Sequence, residues 1–248
     1  MIELHPWQWV LLAVGAALAG FSKTGIPGVG ILFVAVFANL MPARQATGAV
    51  LPLLIFADVF AFFVYRKNLE WRRVGALLPW ALGGIVAGWY VLGRVDDHQT
   101  AHMVGGVIAV MLLVHLWRTR HAAQADSAAM PAWFGPCAGL LAGFSTMVAN
   151  AAGPVMTLYL LAMRLPKLEF LGTGAAFFLV INWIKVPFSA QLGLLTMPSL
   201  TLNLFLLPAV AAGAWAGPWV VRRTNQALFE KAALVLAAAA ATKLLFFA

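Results

Sequence analysis

The two halves of the chain repeat a short apolar motif. Residues 18–22, Leu-Ala-Gly-Phe-Ser, return letter for letter at 141–145, an offset of 123 (144 − 21). At an offset of 124 (182 − 58), Asp58 corresponds to Asn182. A duplicated apolar half-chain interrupted by Gly and Pro is typical of secondary transporters, in which the substrate site lies where the halves meet.

The composition restricts the class of protein. Apolar residues make up 63% of the chain and charged residues 10%, whereas a soluble domain carries about 25% charged residues. The chain is therefore predicted to be an integral membrane protein with the lipid bilayer as a partner. The formal charge is +8, but the basic residues sit in short loops between apolar segments, which is the positive-inside pattern and excludes a nucleic-acid-binding face. The single cysteine, Cys137, excludes an internal disulfide and a Cys-cluster metal site.

The hydrophobicity pattern predicts an all-α polytopic membrane protein of two pseudo-symmetric repeats with 8–10 membrane segments. We divide the chain into an N-terminal repeat, a linker and a C-terminal repeat, at 1–120, 121–132 and 133–248. The apolar segments are 7–21, 26–40, 46–65, 74–93 and 101–117 in the first half, then 133–146, 152–164, 169–188, 200–221 and 227–247. The last three of each half approach the roughly 20 residues that a span needs.

The first two segments of each half are too short to span, and a stretch rich in Gly or Pro separates them, at 22–28 and at 145–154. Non-helical backbone at membrane depth is tolerated only where it is buried or lines a wet cavity. The pattern leaves open whether each pair is a hairpin or one broken span. The loop charges favour hairpins, because the second half is then inverted, the basic loops lie inside and both termini lie outside.

The first break contains the charge that most strongly indicates a site. An ammonium between apolar helices is unfavourable unless it is paired or wet. Lys23, the neighbouring hydroxyls and a following helix that opens near Pro27 predict an anion site, because helix N-termini attract anions. The alternative is that Lys23 lies in a cytoplasmic loop. The predicted substrate-binding residues of this break are Ser22, Lys23, Thr24, Gly25, Pro27 and Gly28.

The second break carries no charge. Its hydroxyl, amide and backbone groups could contact the far side of the same anion, or the break could be purely structural. The predicted substrate-binding residues there are Ser145, Thr146, Asn150 and Gly153.

Three further polar residues lie inside predicted spans. Asp58 is expected to be functional, either by pairing with Lys23 or by exchanging a proton as the coupling group. Asn182 and Lys185 share a helical face because they are three residues apart. Lys185 either makes a second anion contact or extends towards the outer interface.

The chain resembles the TauE/SafE family of sulfite-exporter-like bacterial membrane proteins. The residues that carry the resemblance are 20–28 and 47–54 leading to Asp58, 65–67 before Trp71, 143–145, 153–154, Gly172, and Asn182 with Lys185. The resemblance covers nearly the whole chain. It implies a proton- or ion-linked inner-membrane carrier for sulfite, organosulfonates or other sulfur-containing anions, and neither a single substrate nor a direction.

We expect a transporter without a cofactor, a metal site or catalytic residues, because the chain shows no metal spacing, catalytic triad or paired carboxylates. A passive anion channel and a membrane subunit that needs a partner are the rival hypotheses. The sequence does not decide whether the chain forms a homo-oligomer.

Overall fold

The structure is a computed structural model that describes residues 5–40, 43–94, 99, 106, 109–110, 113 and 131–246. The described residues form helices and turns and no strand. The α-helices are α1 (Pro6–Thr24), α2 (Gly30–Leu40), α3 (Ala43–Ala49), α4 (Leu51–Tyr65), α5 (Trp71–Leu92), α6 (Phe134–Ala149), α7 (Ala152–Ala162), α8 (Lys167–Gln191), α9 (Met197–Arg223) and α10 (Gln226–Phe246). A 3₁₀ turn, Arg66–Asn68, joins α4 to α5. The predicted segment 101–117 and linker 121–132 lie mostly outside the described residues, and the division into 1–120 and 133–248 stays a prediction.

In the part of the chain that the structure describes, four helical stretches are long and apolar enough to cross a membrane. They are Gln45–Asn68, which joins α3 to α4, and the helices α5, α8 and α9. At a rise of 1.5 Å per residue, the 11 residues of α7 cover only about half of the hydrocarbon thickness. The prediction of an all-α polytopic membrane protein is confirmed.

The short helices form two hairpins, and the broken-span alternative is wrong. In the first hairpin, α1–α2, a Cβ on Gly15 would lie 3.1 Å from the Phe37 ring, and one on Gly30 would lie 3.5 Å from the Ser22 hydroxyl. Residues before the turn thus face residues after it in antiparallel order. In the second hairpin, α6–α7, the Phe134 ring stacks on the Tyr159 ring with centroids 5.8 Å apart.

The turns of the hairpins are shorter than the sequence indicated. Residues 25–29 form the first tip and residues 150–151 the second tip. The prediction that Ser22, Lys23 and Thr24 are non-helical is wrong, because α1 continues to Thr24 and ends at Gly25. The prediction that Pro27 lies in the opening turn of the next helix is also wrong. Gly28 has a positive φ of 97°, which favours glycine, and α2 begins only at Gly30.

Each hairpin packs against a spanning helix of the other half of the chain. A Cβ on Gly84 of α5 would lie 2.0 Å from the Leu140 carbonyl oxygen of α6, and one on Gly213 of α9 would lie 1.8 Å from the Ala17 carbonyl oxygen of α1. The absence of side chains there allows the backbones to approach closely. The two contacts join equivalent positions, since 140 − 17 = 123 and 213 − 84 = 129.

The helices α4 and α8 run antiparallel and meet at Asp58 and Asn182. Near one end of the pair, a Cβ on Gly48 would lie 2.3 Å from the Leu194 carbonyl oxygen, and near the other, one on Gly172 would lie 2.8 Å from the Tyr65 carbonyl oxygen. At mid-length, the Asn182 amide donates to the Asp58 carboxylate at 2.6 Å. Antiparallel contact between equivalent residues is what inverted repeats produce; the inverted repeat itself stays a prediction.

Candidate functional site

A cavity lies between the two hairpins and is bordered by α4 and α8. Its empty volume is about 1030 Å³ with its open mouth included. The predicted residues that line it are Ser22, Lys23, Pro27, Gly28, Thr146, Asn150, Gly153 and Asn182. The structure therefore brings residues of both breaks and of α8 together around one space.

Three of the predicted residues of the two breaks lie behind the cavity wall. The Thr24 hydroxyl donates to the Ala214 carbonyl oxygen at 2.8 Å, which holds it against α9. A Cβ on Gly25 would lie 3.2 Å from Gly217 Cα. Ser145 is fully buried, and its hydroxyl has no hydrogen-bond partner among the described residues. Thr24, Gly25 and Ser145 do not line the cavity, and substrate binding by these residues stays a prediction.

The helix α1 places an ion pair at the cavity wall. Lys23 lies in its last turn, where the dipole favours a cation. Its ammonium lies 2.8 Å from Asp58 Oδ1, and the side chains are 12% and 0% exposed. The predicted pairing of Asp58 with Lys23 is confirmed. The Lys23 ammonium also lies 3.9 Å from the centroid of the Phe178 ring, so Lys23 joins a carboxylate and an aromatic face at the edge of the cavity.

A second ammonium lies behind the second tip. Lys185 is fully buried, and it donates to the Asn150 amide oxygen at 2.6 Å and to the Thr146 hydroxyl at 3.1 Å. The alternative that Lys185 extends to the outer interface is wrong. The lysine does not line the cavity, but both of its acceptors do.

The second tip is fixed by Asn150. Its backbone has a positive φ of 51°, and the N–H groups of Asn150 and Ala151 donate to the carbonyl oxygens of Thr146 and Ser145, which closes the end of α6. The Asn150 side chain then donates to the Thr47 carbonyl oxygen of α3 at 2.9 Å. One amide thus contacts α3 through its nitrogen and α8 through its oxygen.

Two further residues contact the predicted site residues, and only Phe178 of the two lines the cavity. Phe178 contacts Lys23 and lines the wall, and Thr47 accepts the hydrogen bond from Asn150. Phe178 could have been found, because residues 178, 182 and 185 are spaced by four and three and therefore share one face of α8. No local signal identifies the Thr47 carbonyl, which depends on a contact between the halves.

The formal charges of the site favour a negative ligand. Among the described residues, the buried cluster contains two lysines, Lys23 and Lys185, and one carboxyl group, Asp58, so its formal charge is +1 with all three groups ionised. Lys185 interacts electrostatically with both of the others. The described residues include no group of three His, Cys, Asp or Glu side chains that could hold a metal ion.

These features define a polytopic helical membrane protein with a cationic cavity between two hairpins. Residues 12–244 match the family described as "Sulfite exporter TauE/SafE", and the chain belongs to this family. The resemblance seen in the sequence is confirmed.

One curated relative is the "Probable inner membrane transporter protein TsaS" of Comamonas testosteroni, which is 29% identical over 117 residues. The match covers 46% of this chain and 47% of the relative, so the aligned part spans about half the length of that protein. No solved structure matches the chain. Together with the spanning helices, the family and the relative confirm the prediction of a multi-pass inner-membrane protein.

Proposed function

We propose that the protein is a secondary transporter that moves small sulfur-containing anions by alternating access, with the substrate held in the cavity between the hairpin tips. The observation that carries the proposal is the buried cluster of two lysines and one carboxyl group at the cavity wall, whose formal charge is +1. A buried cation without a counter-ion is unfavourable, and one monoanion would neutralise the cluster. The family description, sulfite exporter, supports a sulfur-containing anion.

The character of the wall favours an organosulfonate over sulfite. Much of the lining is apolar, including Phe33, Leu54, Met156, Leu160 and Phe178. An organic sulfonate combines one negative charge with an apolar body, which buries favourably against such a wall. Sulfite and sulfate are small and strongly hydrated, and an apolar wall offers no replacement for their lost water.

The pair of Lys23 and Asp58 supplies a route to proton coupling. An anion that binds Lys23 takes the cation away from a fully buried carboxylate, and a buried carboxylate without a partner becomes neutral by taking up a proton. The amide oxygen of Asn182 is buried and has no donor among the described residues. After rotation of the amide, this oxygen could accept the proton of the neutral Asp58.

The test is transport by the purified protein in proteoliposomes. Benzenesulfonate, sulfoacetate, sulfite, thiosulfate and sulfate are offered with and without a proton gradient. We expect gradient-dependent accumulation of a sulfonate and weaker transport of sulfite and sulfate. Failure of all five anions to move contradicts the proposal, and downhill movement that ignores the gradient favours a passive channel.

The matched variants are Lys23→Ala and Lys67→Ala. Lys67 is an exposed lysine of the 3₁₀ turn, so its loss controls for a general effect of charge on the membrane surface. We expect K23A to lose transport by at least about tenfold, since a charge-assisted contact is worth about 1.5–3 kcal/mol. K67A should transport like the wild type. Wild-type transport by K23A contradicts the assigned site.

A further inference from the structure

We propose that the substrate anion contacts Lys185 as well as Lys23, that Lys185 is the cation whose charge it neutralises, and that Asn150 is a positioning residue which holds Lys185 until the anion takes its place. This inference rests on the proposed function, and it names the device that connects binding to movement of the second hairpin.

The two lysines of the cluster differ in their partners. Lys23 already has a carboxylate partner at 2.8 Å. Lys185 is fully buried, and its partners among the described residues are a neutral hydroxyl and a neutral amide. The net positive charge of the cluster therefore resides at Lys185. An anion gains most where it meets the cation that lacks a counter-ion.

Two of its own hydrogen-bond acceptors separate Lys185 from the cavity. Asn150 and Thr146 line the cavity, and Lys185 lies directly behind them. An anion seated at the second tip is thus separated from the ammonium by one amide oxygen. A sulfonate oxygen is the stronger acceptor, because a hydrogen bond between two charged groups is about twice as strong as a neutral one.

Loss of the contact between Asn150 and Lys185 changes how the second hairpin is held. Asn150 lies at the turn between α6 and α7, and its side chain contacts α8 through Lys185 and α3 through the Thr47 carbonyl oxygen. When the anion takes Lys185, the amide loses its contact with α8. The second hairpin then becomes free to move relative to α8. Binding of the substrate and release of the hairpin are one event in this arrangement.

The correspondence of positions between the two halves of the chain supports this role of Lys185. Position 146 corresponds to position 23, since 146 − 123 = 23. Thr146 therefore stands where the first half has its lysine, and Lys185 of α8 brings an ammonium to it. Each hairpin is linked to the third apolar segment of its own half by one ammonium, supplied by α1 in the first half and by α8 in the second.

The experiment compares three variants of the full-length protein: Asn150→Asp, Asn150→Gly and Lys185→Met. N150D places a carboxylate where the anion would sit, with little change of shape. N150G removes the amide and keeps a residue that tolerates the positive φ. Affinity for benzenesulfonate is measured by titrating the thermal stability of the detergent-solubilised protein, since a ligand of the folded state stabilises it by RT ln(1 + [L]/Kd). Maximal transport rate is measured in proteoliposomes.

We expect N150D and K185M to bind benzenesulfonate about 10- to 100-fold more weakly, the effect of losing one charge-assisted contact. N150G should bind as tightly as the wild type or more tightly, but with a lower maximal rate. Affinity in N150G that falls as far as in N150D would mean that Asn150 is only a direct ligand, and wild-type affinity in N150D would mean that Lys185 does not bind the anion. Either result overturns the inference.

Thermal stability without substrate separates this inference from the proposed function. N150D loses the hydrogen bond to the Thr47 carbonyl oxygen in either background, so its effect on the midpoint is compared between the wild type and K185M. If Lys185 lacks a counter-ion, N150D should be clearly less destabilising in the wild type than in K185M, because only the wild type gains an ion pair. A wild type that moves no sulfonate while N150D shows this difference contradicts the proposed function and retains the charge assignment. An equal loss of stability in both backgrounds, or failure of N150D to fold in the wild type, contradicts the charge assignment.

Discussion

The contact between α5 and α6 allows a stability prediction with a control one residue away. Gly84 faces α6, and a Cβ added there would lie 2.0 Å from the Leu140 carbonyl oxygen and 2.7 Å from the Phe144 nitrogen. Gly83 is in the same helix, and a Cβ there would meet nothing within 4 Å. The substitutions Gly84→Ala and Gly83→Ala therefore add the same methyl group, to a packed helix face and to an open one.

The expected loss of stability follows from the distance by which the added methyl group must push α5 and α6 apart. Ordinary contact begins near 3.4 Å, so the two helices must separate by 3.4 − 2.0 = 1.4 Å at this point. The obstructing atoms are backbone and cannot rotate away. Overpacking costs about 1–3 kcal/mol. The gain of about 0.8–1.0 kcal/mol from replacing Gly by Ala inside a helix applies to both variants and cancels in the comparison. We expect G84A to be less stable than G83A by about 1–3 kcal/mol, or roughly 2–12 °C in the unfolding midpoint.

The assay is the thermal unfolding midpoint of both purified variants in the same detergent, followed by transport in proteoliposomes. G84A should also transport more slowly, because α6 carries Thr146 and Asn150 into the cavity wall. Equal midpoints for G84A and G83A would refute the close backbone approach of α5 and α6.

Two further predictions concern residues of α4 that contact the first hairpin. Asp58→Asn should abolish gradient-driven accumulation and retain downhill anion movement, because an amide cannot exchange a proton; accumulation at the wild-type level would exclude Asp58 as the coupling group. Tyr65→Phe should lower stability by about 1–3 kcal/mol, because the Tyr65 hydroxyl donates to the Thr24 carbonyl oxygen at 2.5 Å near the end of α1. The control for that substitution is Tyr90→Phe, since Tyr90 is 56% exposed, and equal midpoints for the two phenylalanine variants would contradict the capping role.

The sequence located the breaks in the apolar pattern but not their limits. Gly and Pro identify a window in which a helix can end. Inside that window, α1 continues to Thr24 because the hydroxyls of Ser22 and Thr24 find carbonyl acceptors at Ala19 and Ala214. The acceptor on Ala214 belongs to the other half of the chain. Local sequence therefore cannot determine that Lys23 stands at the C-terminus of one helix rather than before the N-terminus of the next.

The ionisable residues could be recognised in the sequence because charges are rare inside membrane spans. Their partners could not all be recognised, because some of them lie far away along the chain. Asp58 and Lys23 are charges in apolar surroundings, so a pair between them was a natural expectation. Lys185 is different, because its environment is set by where the second hairpin packs. Its acceptors, Thr146 and Asn150, lie 39 and 35 residues away, and only the folded structure shows that the hairpin encloses the ammonium.

The asymmetry between the halves explains how a nearly symmetric scaffold can bind one anion. Two equivalent ion pairs would leave the cluster neutral, and two unpaired ammoniums would repel each other in a medium of low dielectric. The chain has Asp58 on α4 and Asn182 at the equivalent position on α8, and the amide donates to the carboxylate at 2.6 Å. That single exchange of a carboxylate for an amide leaves one ammonium with a counter-ion and one without. In our proposal, Asn182→Asp places a second carboxyl group against Asp58, and the two share one proton. Benzenesulfonate binding by this variant should therefore weaken relative to the wild type as the pH is raised and the shared proton leaves, and wild-type affinity over that whole pH range would show that the net charge does not attract the substrate.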